Sequence, residues 1–271
     1  MNRRFSVLVC ALLSVAFSDH SMVFGQANPG LITTTAELVD GAEGLFTLNP
    51  KNGDLRGMLP RARDLTSLHA VLKGNVVKEF GKGANIRYAM ASSRWAPAQR
   101  NPVILWVCDL ASGKLAAYSF AFSKLDFRAN RPAGIINIGL VTLLKAPCGA
   151  DVTMRVAPIT DDQSGVVLFS RKTRTLKLIA LGNKGEIIGE ITSDLTKDLK
   201  DAGIASADCS LVANQSLSTQ AQRNQVGKSL ISIVGKKMIL QYGVLWNRII
   251  AKQGRKQTGK FVPLRRMSLS K

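Results

Sequence analysis

Apolar and polar residues fall along the chain in blocks that favour strands over helices. The stretch at 103–120, VILWVCDLASGKLAAYSF, is two apolar runs around a short polar tip. Three other stretches share this form: GLFTLNPKNGDLRGML at 44–59, GVVLFSRKTRTLKLIAL at 165–181 and SLISIVGKKMILQYGVL at 229–245. A run rich in β-branched and aromatic residues, then a turn, then a second such run predicts a β-hairpin. Aligned on Leu45, Leu105, Val167 and Ile231, the hairpins start 60, 62 and 64 residues apart. Even spacing of this kind predicts four repeats of about 62 residues. The tips fit the reading, since Asn52-Gly53 and Ser112-Gly113 accept positive φ at little cost, while 171–175 and 235–237 offer polar turns of similar length.

Further strands are expected at 86–91, 151–157 and 210–214, each before one of the last three hairpins, and at 184–191 (KGEIIGEI) after the third. Two short helices interrupt them. SDLTKDLKDAG at 193–203 offers Ser193 as N-cap, Leu195 and Leu199 on one face, and a stop at Gly203. PRARDLTSLHAVLKG at 60–74 spaces Leu65, Leu68 and Leu72 along one side and ends at Gly74.

The strings CDLASGKL at 108–115 and LNPKNGDL at 48–55 resemble the outer hairpins of β-propeller blades of the quinoprotein-like and tryptophan-aspartate types. In those blades an acidic or polar residue, a small-Gly tip and a Lys or Asp recur between strands. The resemblance covers about 16 positions in each of four places. The period here is longer than the roughly 40–50 residues usual for such blades, and Trp106 stands before the turn rather than at a blade's final position. What the resemblance implies is architecture, with strands radiating around an axis, and no cofactor or catalytic residue. The expected fold is therefore mainly β, with four repeats in a small propeller-like arrangement; the alternative is a β-sandwich or barrel.

The N-terminal stretch MNRRFSVLVCALLSVAFSDHSMVFGQA pairs Arg3 and Arg4 with an apolar run to Phe17 and a small-residue exit at Gly25 and Ala27. That is the layout of a secretory signal peptide, and the apolar run is shorter than the roughly 20 residues a membrane-spanning helix needs. The expected organisation is a signal at 1–27, a single β-rich repeat domain at 28–246 and a basic segment at 247–271. An extracytoplasmic location follows: periplasmic, cell-surface or secreted, with no transmembrane segment after cleavage. In an oxidising compartment Cys108, Cys148 and Cys209 make an odd set. Cys108, within LWVCD, reads as a buried small hydrophobe, and pairing of Cys148 with Cys209 stays open.

The formal net charge is +19 and the pI about 10.2. After Asp208 the chain has no acidic residue but twelve Lys and Arg, a single-sign field that attracts polyanions and is screened by salt. The candidate binding residues lie there: Arg248, Lys252, Arg255, Lys256, Lys260, Arg265 and Arg266, interleaved with Trp246 and Phe261. Cations hold phosphates or carboxylates while rings stack on bases or sugars. Export argues against intracellular nucleic acid, so the expected partner is an anionic polymer or surface of the cell envelope, or a partner protein.

Catalytic constellations are thin. His69 is the one histidine beyond the signal, so a Ser-His-Asp triad has a single possible base, and no metal site or cofactor is expected. VGKS at 226–229 lacks the upstream glycine of a phosphate-binding loop, where Gln222 stands instead. The enzyme alternative is an extracytoplasmic carbohydrate-active or other hydrolase that uses clustered aspartates, Asp161 and Asp162 with Asp109 or Asp151. The favoured reading is a non-catalytic exported binding or scaffold protein.

Overall fold

Each central hairpin is flanked by a further strand on either side, and the chain so builds four units of four antiparallel strands. The computed structural model describes residues 30–37, 43–61, 64–81, 87–94, 103–121, 133–143, 151–158, 164–181, 187–215, 226–246 and 259–269. Unit 1 holds β1 (Ile32–Glu37), β2 (Glu43–Leu48), β3 (Asp54–Arg61) and β4 (Asp64–Asn75). Unit 2 holds β5 (Tyr88–Arg94), β6 (Val103–Asp109), β7 (Lys114–Ala121) and β8 (Ala133–Leu143). Unit 3 holds β9 (Val152–Pro158), β10 (Ser164–Ser170), β11 (Thr175–Leu181) and β12 (Ile187–Asp194). Unit 4 holds β13 (Ser210–Gln215), β14 (Val226–Val234), β15 (Met238–Trp246) and β16 (Gly259–Ser268). Within every unit the strands pair in sequence order. The four expected hairpins are the second and third strands of each unit, so the repeat is present.

Units 1 and 2 are joined at their outer strands by a short parallel contact, Leu72 with Ala133 and Lys73 with Gly134, and so count as one eight-stranded sheet. The first strands of successive units lie against one another, β1 on β5, β5 on β9 and β9 on β13. Among the described residues no sheet closes into a barrel.

Three cores fill the spaces between successive units. Phe46, Leu48, Leu55 and Leu72 meet Leu105, Val107 and Tyr118 between units 1 and 2. Ile104, Trp106 and Cys108 meet Met154, Val166 and Leu168 between units 2 and 3. Val167, Phe169 and Leu178 meet Ile231, Ile233 and Tyr242 between units 3 and 4. Successive residues of a strand point to opposite faces, so β6 and β10, covered on both sides, are apolar without alternation over 103–108 and 166–169.

Two α-helices are described, α1 (Val77–Phe80) and α2 (Thr196–Asp201), with a 3-10 turn at Ser206–Asp208. The first is not where leucine spacing placed it. Residues 60–74 end β3 and form most of β4, paired with β3 in a regular ladder from Asp54 opposite Asn75 to Leu59 opposite Ala70 and, after an irregularity, Pro60 opposite Leu68 and Arg61 opposite Asp64. Leu68, Ala70 and Leu72 also alternate with period two, and long-range pairing decides between the readings. The second helix stands where expected but begins later: Ser193 lies in β12, and Asp194 Oδ1 accepts the amide of Thr196 at 2.8 Å.

Register also corrects the repeat by one residue. Leu105 and Ile231 face the preceding unit, whereas Val167 faces the following one. The true counterpart of Leu105 is Val166, which faces back onto unit 2.

Candidate functional site

The described part of the basic C-terminal segment is the last strand of unit 4. Strand β16 pairs with β15 from Trp246 opposite Gly259 to Met238 opposite Ser268, with an irregularity where Gln241 and Tyr242 face Arg265 and Pro263. Leu264 is the extra residue, half exposed and lying over Gly243, where a Cβ would come within 3.3 Å of its Cδ1. Proline without an N–H, a bulge and two arginines are the features by which exposed edge strands are blunted.

The expected binding residues separate in this frame. Lys260 and Arg265 are exposed. Arg266 is 49% exposed and already compensated, its Nη2 lying 3.7 Å from Asp198 Oδ1 and 3.9 Å from Asp201 Oδ2 of α2. Phe261 points inward and packs in the core between units 3 and 4, which removes its ring from any surface stacking role. Trp246 ends β15. Arg248, Lys252, Arg255 and Lys256 fall in the connection from β15 to β16, outside the described residues.

A cleft of about 180 Å³ opens where α2 meets this edge, lined by Asp198, Leu240, Gln241, Tyr242, Pro263 and Leu264 with the two arginines. The Tyr242 hydroxyl donates to Asp198 Oδ2 at 2.8 Å. Burial, then the Asp198 carboxylate that accepts this bond, pushes the phenol well above its ordinary value. Sequence reading missed Asp198 and Tyr242 because helix and strand converge only through the sheet. Lys236, another of the cations after Asp208, pairs with Asp208 itself at 2.8 Å.

The two described aspartates of the enzyme alternative, Asp109 and Asp151, are engaged in turns. Asp109, buried at the end of β6, accepts the amides of Arg87 at 3.2 Å and Ala111 at 3.0 Å, and also the Ser112 hydroxyl. Asp151 accepts the Ser170 hydroxyl at 2.6 Å and the Lys172 amide at 2.8 Å. Burial alone would raise the Asp151 carboxyl, but these bonds and the neighbouring Arg171 hold it below the ordinary carboxylate value. Asp161 and Asp162 lie outside the described residues. His69 lies in β4, and 226–229 begins β14, with no helix to complete a phosphate loop. Cys209 is a buried thiol donating to Ser206 O at 3.1 Å; burial raises it above its ordinary value. Cys148 lies outside the described residues.

Among the described residues no helix is long and apolar enough to cross a membrane, and no three His, Cys, Asp or Glu side chains gather as a metal site. No protein-family model, curated protein or solved structure matches the chain.

Proposed function

We propose that this is an exported, non-catalytic binding or scaffold protein, with a platform of the β-propeller type and a basic C-terminal face that holds an anionic component of the cell envelope or an acidic partner protein. The observation that carries this reading is the absence of any Asp or Glu after Asp208, together with the exposure of Lys260 and Arg265 on the final strand. Exposed cations of one sign attract polyanions through counterion release, without a preformed pocket. The contacts of first strands along the unit series support the propeller-type platform. The turn bonds of Asp109 and Asp151 argue against those two carboxylates as an acid–base pair.

The test is titration of the exported protein against a soluble anionic polysaccharide over a range of salt. Replacing Arg255, Lys256, Arg265 and Arg266 with Ala should weaken binding and flatten its salt dependence. Thermal stability should hardly change, since partly exposed ion pairs such as that of Arg266 contribute little. Unchanged affinity at low salt would sink the proposal.

A further inference from the structure

The two helices sit at matching places and are held by matching bonds. Asn75 and Asp194, Val76 and Leu195, Glu79 and Asp198, and Phe80 and Leu199 are each 119 residues apart. Asn75 Oδ1 accepts the amide of Val77 at 2.8 Å, and Asp194 Oδ1 accepts that of Thr196 at the same distance. The Val76 amide donates to Gly53 O and the Leu195 amide to Arg174 O, both at 2.9 Å. Gly53 has φ 71° and Arg174 φ 56°, the one positive-φ residue other than glycine among those described. A left-handed arginine is uncommon, and its position is the one the glycine holds in the earlier copy.

The correspondence extends across the sheets. Tyr118 on β7 donates to Glu79 Oε2 at 3.0 Å, as Tyr242 on β15 donates to Asp198. The ladder to the fourth strand breaks between Ala117 and Tyr118 in unit 2 and between Gln241 and Tyr242 in unit 4. Val76 and Phe80 enter the core between units 1 and 2, and Leu195 and Leu199 enter the core between units 3 and 4. First strands and fourth strands both approach within each pair of units, β1 to β5 and β4 to β8, β9 to β13 and β12 to β16.

We propose that the four sheets are two copies of one two-sheet module, units 1–2 and units 3–4, and that this module is the unit in which the protein opens. In each copy a helix leaving the first sheet packs against the second, and its carboxylate is tied to a tyrosine of that second sheet. A core joins units 2 and 3 as well, but the helix–tyrosine bond and the fourth-strand contact add to the core within each pair, so loosening one sheet should release its module partner before it releases the other pair. Local opening of contiguous units of this kind is read directly by amide exchange.

The experiment is hydrogen exchange on the full chain carrying Tyr118→Phe or Tyr242→Phe. Loss of one hydrogen bond should speed exchange by about three- to tenfold. Tyr118→Phe should do so throughout both sheets of 30–143 and leave 151–269 unchanged, with the reverse for Tyr242→Phe. Acceleration confined to the sheet that carries the substituted tyrosine, or spread evenly over all four, would overturn the proposal. Glu79→Ala and Asp198→Ala, which remove the acceptor from the other side of each bond, supply the same comparison should a phenylalanine variant fail to fold.

Discussion

The ring of Phe46 lies over Gly57 on the neighbouring strand, so close that a Cβ on Gly57 would come within 2.6 Å of its Cε1 and 2.9 Å of its Cδ1. Gly57→Ala should accordingly force the ring aside and destabilise the protein by about 1–3 kcal/mol. Urea denaturation would check this. A variant as stable as the parent would show that Phe46 has a second rotamer to occupy.

Asp109 holds the β6–β7 turn and the entry to β5 together. Asp109→Ala leaves the amides of Arg87 and Ala111 without this acceptor and should cost about 1–3 kcal/mol. Asp109→Asn, which keeps one acceptor oxygen, should cost less. Thermal melts of the two variants give the order directly, and the reverse order would exclude the carboxylate as the turn's organiser.

Asp151 makes the turn at the tip of unit 3 sensitive to acid. Its carboxyl lies below the ordinary value of 3.8 when folded, so the folded state favours the charged form. Its contribution is present above pH 3.8 and is lost as the pH falls through the lower folded value. The stability difference between parent and Asp151→Asn should be constant above pH 5 and shrink as the pH falls below 3.8. A difference that does not change with pH would assign the effect to shape alone.

Trp106 is the largest fully buried side chain among the described residues and fills the core between units 2 and 3. Trp106→Ala should cost about 3–5 kcal/mol, with the parent's loss of tryptophan fluorescence burial on unfolding as the companion signal. A cost below 1 kcal/mol would mean that the sheets on either side close the gap.

The hairpins were legible because their information is local: two apolar runs and a turn. Four outer strands were legible too, the runs at 86–91, 151–157, 184–191 and 210–214 standing as β5, β9, β12 and β13, whereas β1, β4, β8 and β16 were not. Leucines at 65, 68 and 72 suit a helix face, and only pairing with β3 makes that segment a strand. Register failed at Val167 for a related reason. Strand β10 is apolar on both faces, so no polar residue marks which side looks back, and a one-residue slip costs nothing in the pattern. At the candidate face, the cationic character of Lys260, Arg265 and Arg266 was readable. The pairing of Arg266 with Asp198 and Asp201, and the inward turn of Phe261, follow from the placement of α2 and the bulge at Leu264, which involve residues far apart in the chain.

Strands covered on both faces carry a consequence for biosynthesis. Unit 2 is complete in the nascent chain before unit 3 exists, and until β9 and β10 emerge, Ile104, Trp106 and Cys108 lack the cover that Met154, Val166 and Leu168 give them in the finished protein. A chain interrupted before residue 151 would present this apolar face to other chains, and partly folded proteins with such surfaces aggregate. Truncated products should therefore be found in the insoluble fraction, and a holding chaperone that recognises extended apolar segments should bind them at 103–108.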